Sequence, residues 1–349
     1  MNYLFTPLVV SILLSIGLGI PAIMLAQRLK LLDIPGSAPH KKHSRSMPLA
    51  GGILLVSAFG ITMILFRQWV NHEILAVFFG AVIVFAFGIY DDRNGLSAGP
   101  KLVGQLLATI ILISSGVQVY FISIFSNSGF IPEFVAQVLN VLITLFWLIG
   151  ITNALNMIDS MDGIVAGLGI IASALFLGAT HLADQSTYSF WLATLLGINA
   201  GLYYWNKTAA KFFLGDSGSQ TIGFLLASFG ILYNPLNRSP ESSWMVPIML
   251  LGIPIFDTTL VVISRIKRNQ AIGTGRRDHT YHRLIALGLS PKNAVLITHI
   301  CAMIISFLAF LTLYLPPIIA LIFFFSTLLC GLILLIWLER QPTPDDLHL

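Results

Sequence analysis

Residues Leu4 to Leu25 read LFTPLVVSILLSIGLGIPAIML, a run without one charged side chain. The hydrocarbon core of a bilayer is about 30 Å thick, and a helix crosses it with roughly 20 apolar residues. This run has that length, and ten more of its kind follow at 49–66, 74–90, 102–125, 134–155, 163–180, 188–206, 217–233, 244–264, 293–314 and 316–337. The bulk composition agrees. Of 349 residues 56% are hydrophobic and 10% charged, with mean hydropathy +0.87, where an ordinary soluble domain has about 25% charged residues. The expected fold is an all-α polytopic membrane protein of about eleven transmembrane helices, forming one membrane domain over 1–349. The first run opens without a basic leader or a small-residue cleavage site, so it reads as a retained helix and not a signal peptide.

With the N-terminus outside, 17 of the 19 Lys and Arg residues fall on inward-facing segments, and only Arg67 and Arg238 face out. Basic residues are retained on the cytoplasmic side of membrane proteins, so the N-terminus is expected outside, the C-terminus in the cytoplasm, and the chain in the inner membrane. The net charge of +4 then reflects topology, and no aromatic-basic pattern asks for nucleic acid. Cys301 and Cys330 lie in apolar runs and read as core residues, not as a disulfide or metal pair. Inner loops at about 26–48, 91–101, 156–162, 207–216 and 265–292 carry the polar residues and form the expected active-site face.

Among the 15 Asp and Glu residues, Asp91, Asp92, Asp159, Asp162, Asp216, Asp257 and Asp278 fall at or near inner ends of spans. Carboxylates crowded together raise one another's pKa unless a cation neutralises them. Asp and Asn oxygens suit magnesium, which takes one or two carboxylates and fills its other positions with water and phosphates. Phosphate chemistry at a water-accessible face follows. Five segments carry the pattern: GIYDDRNGLSAGPKL (Gly88 to Leu102), NALNMIDSMDGIVAG (Asn153 to Gly167), KFFLGDSGSQTIGF (Lys211 to Phe224), SRIKRNQAIGTGRRDHTYHRL (Ser264 to Leu284) and DIPGSAPHKKHSRSMPLAGG (Asp33 to Gly52). Each also has a plain structural reading. Asp91 and Asp92 could be helix-end charges, the Asn153-to-Asp162 series a solvated stripe, and Asp216 a helix N-cap. The two basic segments could be lipid-facing loops, and Asp257 a buried hydrogen-bonding group.

In this order the five segments resemble the polyprenyl-phosphate N-acetylhexosamine-1-phosphate transferase family, whose bacterial members start O-antigen, enterobacterial common antigen, teichoic acid and peptidoglycan lipid intermediates. The resemblance runs from about Asp33 to Leu289. It implies a UDP-N-acetylhexosamine donor, most directly UDP-N-acetylglucosamine, an undecaprenyl or other polyprenyl phosphate acceptor, and release of UMP. It further implies that Asp91 and Asp92 are the catalytic pair, that Lys101 contacts phosphate, and that Asn156 and Asp216 hold Mg2+, with Mn2+ as a substitute. Asp159 and Asp162 would line the nucleotide pocket, Asp162 near the uracil, with Phe213 packed on the base. His279, His282 and Arg283 would lie near pyrophosphate and sugar, and Lys42 and His43 join the substrate-binding set. Tyr281 stands where the commoner H-x-H-H pattern has a histidine, in a loop thought to read the sugar. A homodimer is compatible with this reading, and membrane lipid is its medium. Two rivals remain: the phospho-MurNAc-pentapeptide transferase branch of the same family and, in another class, a secondary transporter.

Overall fold

The computed structural model describes residues 2–36, 45–123, 126, 129–207, 209–235, 243–271, 273 and 276–344. Among them are thirteen α-helices and one two-stranded antiparallel ribbon, β1 (Leu32–Asp33) with β2 (Met47–Pro48). Six helices are long and apolar enough to cross a membrane: α1 (Asn2–Arg28), α3 (His72–Asn94), α5 (Glu133–Ile158), α6 (Ile164–Leu182), α12 (Pro291–Thr312) and α13 (Pro317–Glu339). The others are α2 (Gly51–Leu65), α4 (Ala98–Ser114), α7 (Ser186–Asn206), α8 (Gly215–Leu232), α9 (Met245–Leu250), α10 (Gly252–Lys267) and α11 (Thr280–Ala286). The protein is all-helical and polytopic.

Two of the expected spans differ from the structure. In the run at 102–125 the helix α4 ends at Ser114, because Gly116 takes φ +83° and the N–H groups of Gly116 and Val117 turn back onto Ile113 and Leu112. That paired closure ends a helix wherever a glycine can enter the left-handed region. Thr144 and Asn140 of α5 then accept the N–H groups of Val119 and Ile122 at 2.9 and 3.0 Å, satisfying irregular backbone inside the protein as an apolar medium demands. The run at 244–264 is two helices. Pro254 has no N–H to give the Leu250 carbonyl, and the axis breaks at Leu251. The cysteines are both free, but Cys330 is exposed on α13 and only Cys301 is partly buried, so the expectation of two core residues is corrected for Cys330.

The most enclosed helix is α8, buried at nearly every position. Small residues let its neighbours approach: a Cβ on Gly88 of α3 would fall on the Ser217 backbone, and one on Gly52 of α2 would strike the Ser217 side chain at 2.6 Å. Such contacts are how helices pack when no water drives them together. Here they bring the C-terminus of α3 and the N-terminus of α2 against the N-terminus of α8, where the site forms.

Candidate active site

Gly95, at φ +68°, stops α3 just after Asp91 and Asp92, and its N–H closes on the Asp91 carbonyl at 2.8 Å. The chain reverses into α4, so Lys101 in the first turn of that helix returns beside Asp91 and forms an ion pair with it. The same ammonium lies 2.7 Å from Asp216 Oδ2. Asp91 also accepts the N–H of Leu96 at 2.5 Å. Asn156 donates to Asp216 Oδ1 at 2.8 Å and to Ser219 Oγ at 3.0 Å. Four expected residues therefore meet: Asp91, Lys101, Asn156 and Asp216.

Asp92 is placed differently from its neighbour. Its carboxylate accepts the N–H groups of Asp216 and Ser217 at 2.7 and 3.2 Å and the Ser217 hydroxyl at 2.6 Å. It caps α8 from another helix, meeting orphan donors and the positive end of the helix dipole. No side chain of α8's own N-cap residue does this, so the reading of Asp216 as an N-cap is not what the structure shows. Asp216 is free to face Lys101 because Asp92 caps its helix.

One turn deeper lies a layer of amides. Gln105 donates to Asn153 Oδ1 at 3.2 Å and to Gln220 Oε1 at 3.1 Å, and Asn153 returns a bond to Gln105 Oε1 at 2.8 Å. Lys101 with Gln105, and Asp216 with Gln220, are four apart on their helices, while Asn156 and Asn153 are three apart, so each helix supplies both layers from one face. Gln105 and Gln220 are absent from the expected site. Their signal was a polar residue one turn along an apolar helix from a site residue.

Asp159 follows the last turn of α5. Burial first, then the charges of Asp216, Asp92 and Asp162, push its carboxyl well above the usual carboxylate range. Asp162 is exposed. Gly163, at φ +76°, donates to Asn206 Oδ1 at 3.0 Å, and Asn206 donates to the Phe212 carbonyl at 3.1 Å. Asn206, another residue outside the expected set, thus ties the aspartate loop to the segment carrying Phe213. Phe213 is half-buried, and its backbone bonds to Pro48, Ala50 and Gly51, so the segment after β2 is stitched beside it. Lys42 and His43 lie outside the described residues.

The histidine loop is held from several sides. Arg265 grips Asp278 with two 2.8 Å bonds; burial pushes the Asp278 carboxyl up, but this fork holds it below the usual range. Asp257 accepts from the Thr280 N–H at 2.7 Å and lies 2.6 Å from His279 Nδ1. The wholly buried Tyr281 bonds to Ser160 and the Ile158 carbonyl through its hydroxyl, and its ring stacks on His279 with an 8° interplanar angle. His282 is 6% exposed. Burial, with the nearby charges of His279 and Arg277, brings it down to about 3, so its imidazole is neutral at physiological pH. Its Nδ1 has no hydrogen-bond partner among the described residues. Arg283 departs from expectation: it is fully buried and its guanidinium turns onto the carbonyls that end α13. Its fork fills a set of backbone acceptors instead of facing the acidic centre.

Residues 74–234, which include the whole acidic centre, match glycosyl transferase family 4. Over 305 residues the chain is 31% identical to the probable undecaprenyl-phosphate N-acetylglucosaminyl 1-phosphate transferase of Bacillus subtilis (strain 168), covering 87% of this chain and 79% of that protein. It is 30% identical over 262 residues to the decaprenyl-phosphate N-acetylglucosaminephosphotransferase of Mycolicibacterium smegmatis, covering 69% of this chain and 64% of the relative. It is 29% identical over 258 residues to a phospho-N-acetylmuramoyl-pentapeptide-transferase of Listeria monocytogenes, covering 69% and 75%. The chain belongs to this family of membrane-embedded, polyprenyl-phosphate-dependent sugar-phosphate transferases.

The donor set fits a hard divalent cation. Asp91 and Asp216 converge as two carboxylates on the Lys101 ammonium, and Asn156 turns its amide nitrogen to Asp216. Among the described residues no three His, Cys, Asp or Glu side chains are grouped so as to hold a metal ion by themselves, so the protein would offer two carboxylates. Magnesium is suited by such an open arrangement, since it keeps positions for water and substrate phosphate.

Proposed function

We propose that this protein transfers N-acetylglucosamine 1-phosphate from UDP-N-acetylglucosamine to undecaprenyl phosphate, releasing UMP, on the cytoplasmic face of the inner membrane. The observation that carries this reading is the Lys101 ammonium bracketed by Asp91 and Asp216 where three helix ends meet. It occurs in a chain whose relatives are named for undecaprenyl and decaprenyl phosphate. All eleven apolar runs are taken as crossings, with the N-terminus outside, on the strength of the Lys and Arg distribution.

In the proposed reaction an acceptor phosphate oxygen bonds to the β-phosphorus of the UDP-sugar. The bond from that phosphorus to the bridging oxygen breaks, and UMP leaves with the oxygen. A phosphate monoester has its second pKa near 6, so the acceptor needs little help from a base at neutral pH. Catalysis then rests on alignment and charge. Lys101 neutralises charge on the transferred phosphoryl group, while Asp91 and Asp216 hold the ammonium in place. Asp92 acts through α8 by fixing the helix end that presents Asp216. His282, neutral and with an open ring nitrogen, can hydrogen-bond to the donor without adding charge. Magnesium held by Asp216 and Asn156 would supply further neutralisation of the pyrophosphate.

The test is UMP release by purified protein in detergent with undecaprenyl phosphate, magnesium and a panel of UDP-N-acetylhexosamines, alongside Asp91→Asn and Asp216→Asn. Turnover with UDP-N-acetylglucosamine that needs lipid, magnesium and both aspartates is expected. Preference for UDP-MurNAc-pentapeptide would move the protein to the peptidoglycan branch. Silence across the panel from folded protein would return the transporter reading.

A further inference from the structure

The guanidinium of Arg283 makes a set of contacts that no role at the phosphates explains. Its Nη1 lies 2.9, 3.1 and 2.9 Å from the carbonyls of Leu338, Glu339 and Gln341, its Nη2 donates to Ser264 Oγ at 2.8 Å, and its Nε to the Asp278 carbonyl at 3.2 Å. The last carbonyls of a helix have no intrahelical donors and carry the negative end of its dipole. The Leu338 carbonyl also accepts the Gln341 N–H at 2.9 Å, and the buried guanidinium adds further donors and a positive charge at the end of α13. Around it Leu335 and Leu338 pack with Leu260, and Lys267 pairs with Glu339 at 2.9 Å. One side chain in the histidine loop thus joins three parts of the chain: α10 through Ser264, the loop's own start at Asp278, and the end of α13.

We propose that Arg283 is a positioning residue whose partner is the end of α13, and that this helix end sets the donor-binding geometry of His279 and His282. The inference rests on the reading of the histidine loop as part of the donor site. The coupling is specific because Asp91, Lys101 and Asp216 belong to α3, α4 and α8, none of which Arg283 touches in these bonds. Loosening the clamp should weaken donor binding and leave the phosphoryl-transfer centre intact.

The experiment is a double-mutant cycle with Arg283→Lys and Leu338→Ser in full-length protein, reading KM for the UDP-sugar and kcat separately. Lysine keeps the charge but not the planar fork, and Leu338→Ser unseats the helix end without touching the loop. Each single variant should raise KM about tenfold with kcat within about threefold, and the pair should be less than additive because both break one linkage. Additive effects, an unchanged KM in Leu338→Ser, or loss of kcat in Arg283→Lys at normal KM would overturn the proposal, the last by making Arg283 a substrate contact. Amide hydrogen exchange over residues 276–286 needs no turnover and should quicken in both variants. Unaltered exchange overturns the clamp even if the reaction proves to be another one, whereas faster exchange in a protein inactive on every donor faults the proposed function alone.

Discussion

The half-buried acidic centre and the buried histidine loop are both polar clusters at helix ends, yet they spend their side chains differently. In the acidic centre, charged groups from separate helices face one another: Asp91 and Asp216 share Lys101, and Asn156 donates to Asp216. In the loop three polar groups are turned inward and held by the fold, while Arg276 stays exposed. Asp278 is taken by Arg265, His279 by Asp257, and Arg283 by the end of α13. Helices are rigid and can present converging charges unaided, whereas a loop must first be fastened, and its fasteners are the same residue types that bind phosphate. A basic cluster in sequence therefore overstates the charge a loop can offer a substrate.

The sharpest way to break this contrast is Lys101→Met. It removes the one cation between two carboxylates, and loss of a single charge-stabilising group at a phosphoryl or acyl centre costs about 10² to 10³ in kcat. UMP release should fall by that factor with the thermal midpoint little changed. Near-normal turnover would show that the centre is structural and that the loop carries the reaction. Next in size is Asp92→Ala, which strips the cap from α8. Leaving its buried N–H groups unpaired should cost about 1–3 kcal/mol of stability, read as a lowered midpoint, with activity falling alongside. If instead activity vanished at an unchanged midpoint, Asp92 would be a chemical group like Asp91.

The smallest effect tests the loop. His282 has a folded pKa of about 3 against an ordinary 6.5, so below about pH 6.5 the unfolded chain binds a proton that the folded chain refuses. Stability from this group is full above pH 6.5 and falls as pH drops toward 3, by about 1.4 kcal/mol for each pH unit. His282→Gln, which does not titrate, should flatten the loss of thermal midpoint between pH 7 and pH 5.5. An unchanged slope would mean that the folded and unfolded chains bind this proton alike, so that burial does not shift His282.

Much of the acidic centre could be read in the sequence because its residues recur at fixed places along apolar runs. Asp91 ends one run, Lys101 opens the next, and Asn156 ends a third. The amide layer was legible in principle, since Gln105 and Gln220 follow site residues by one turn in otherwise apolar helices. The early stop of α4 was written in Ser115–Gly116 but hidden by the apolar residues beyond it. The bonds of Arg283 to the end of α13 were not legible, because a guanidinium suits a phosphate and a helix C-terminus equally well.

From its sequence alone the chain was an all-helical membrane protein, because apolar runs of bilayer length leave the backbone no other way to satisfy its hydrogen bonds. Four polar residues that meet at the helix ends, Asp91, Lys101, Asn156 and Asp216, could also be named from their types and places. Which of two adjacent aspartates faces the lysine and which caps a helix, and that Arg283 reaches the end of α13, was decided by tertiary structure. Those outcomes depend on distances between helices far apart in the chain, set by glycine contacts such as Gly88 against Ser217, and no local pattern encodes them.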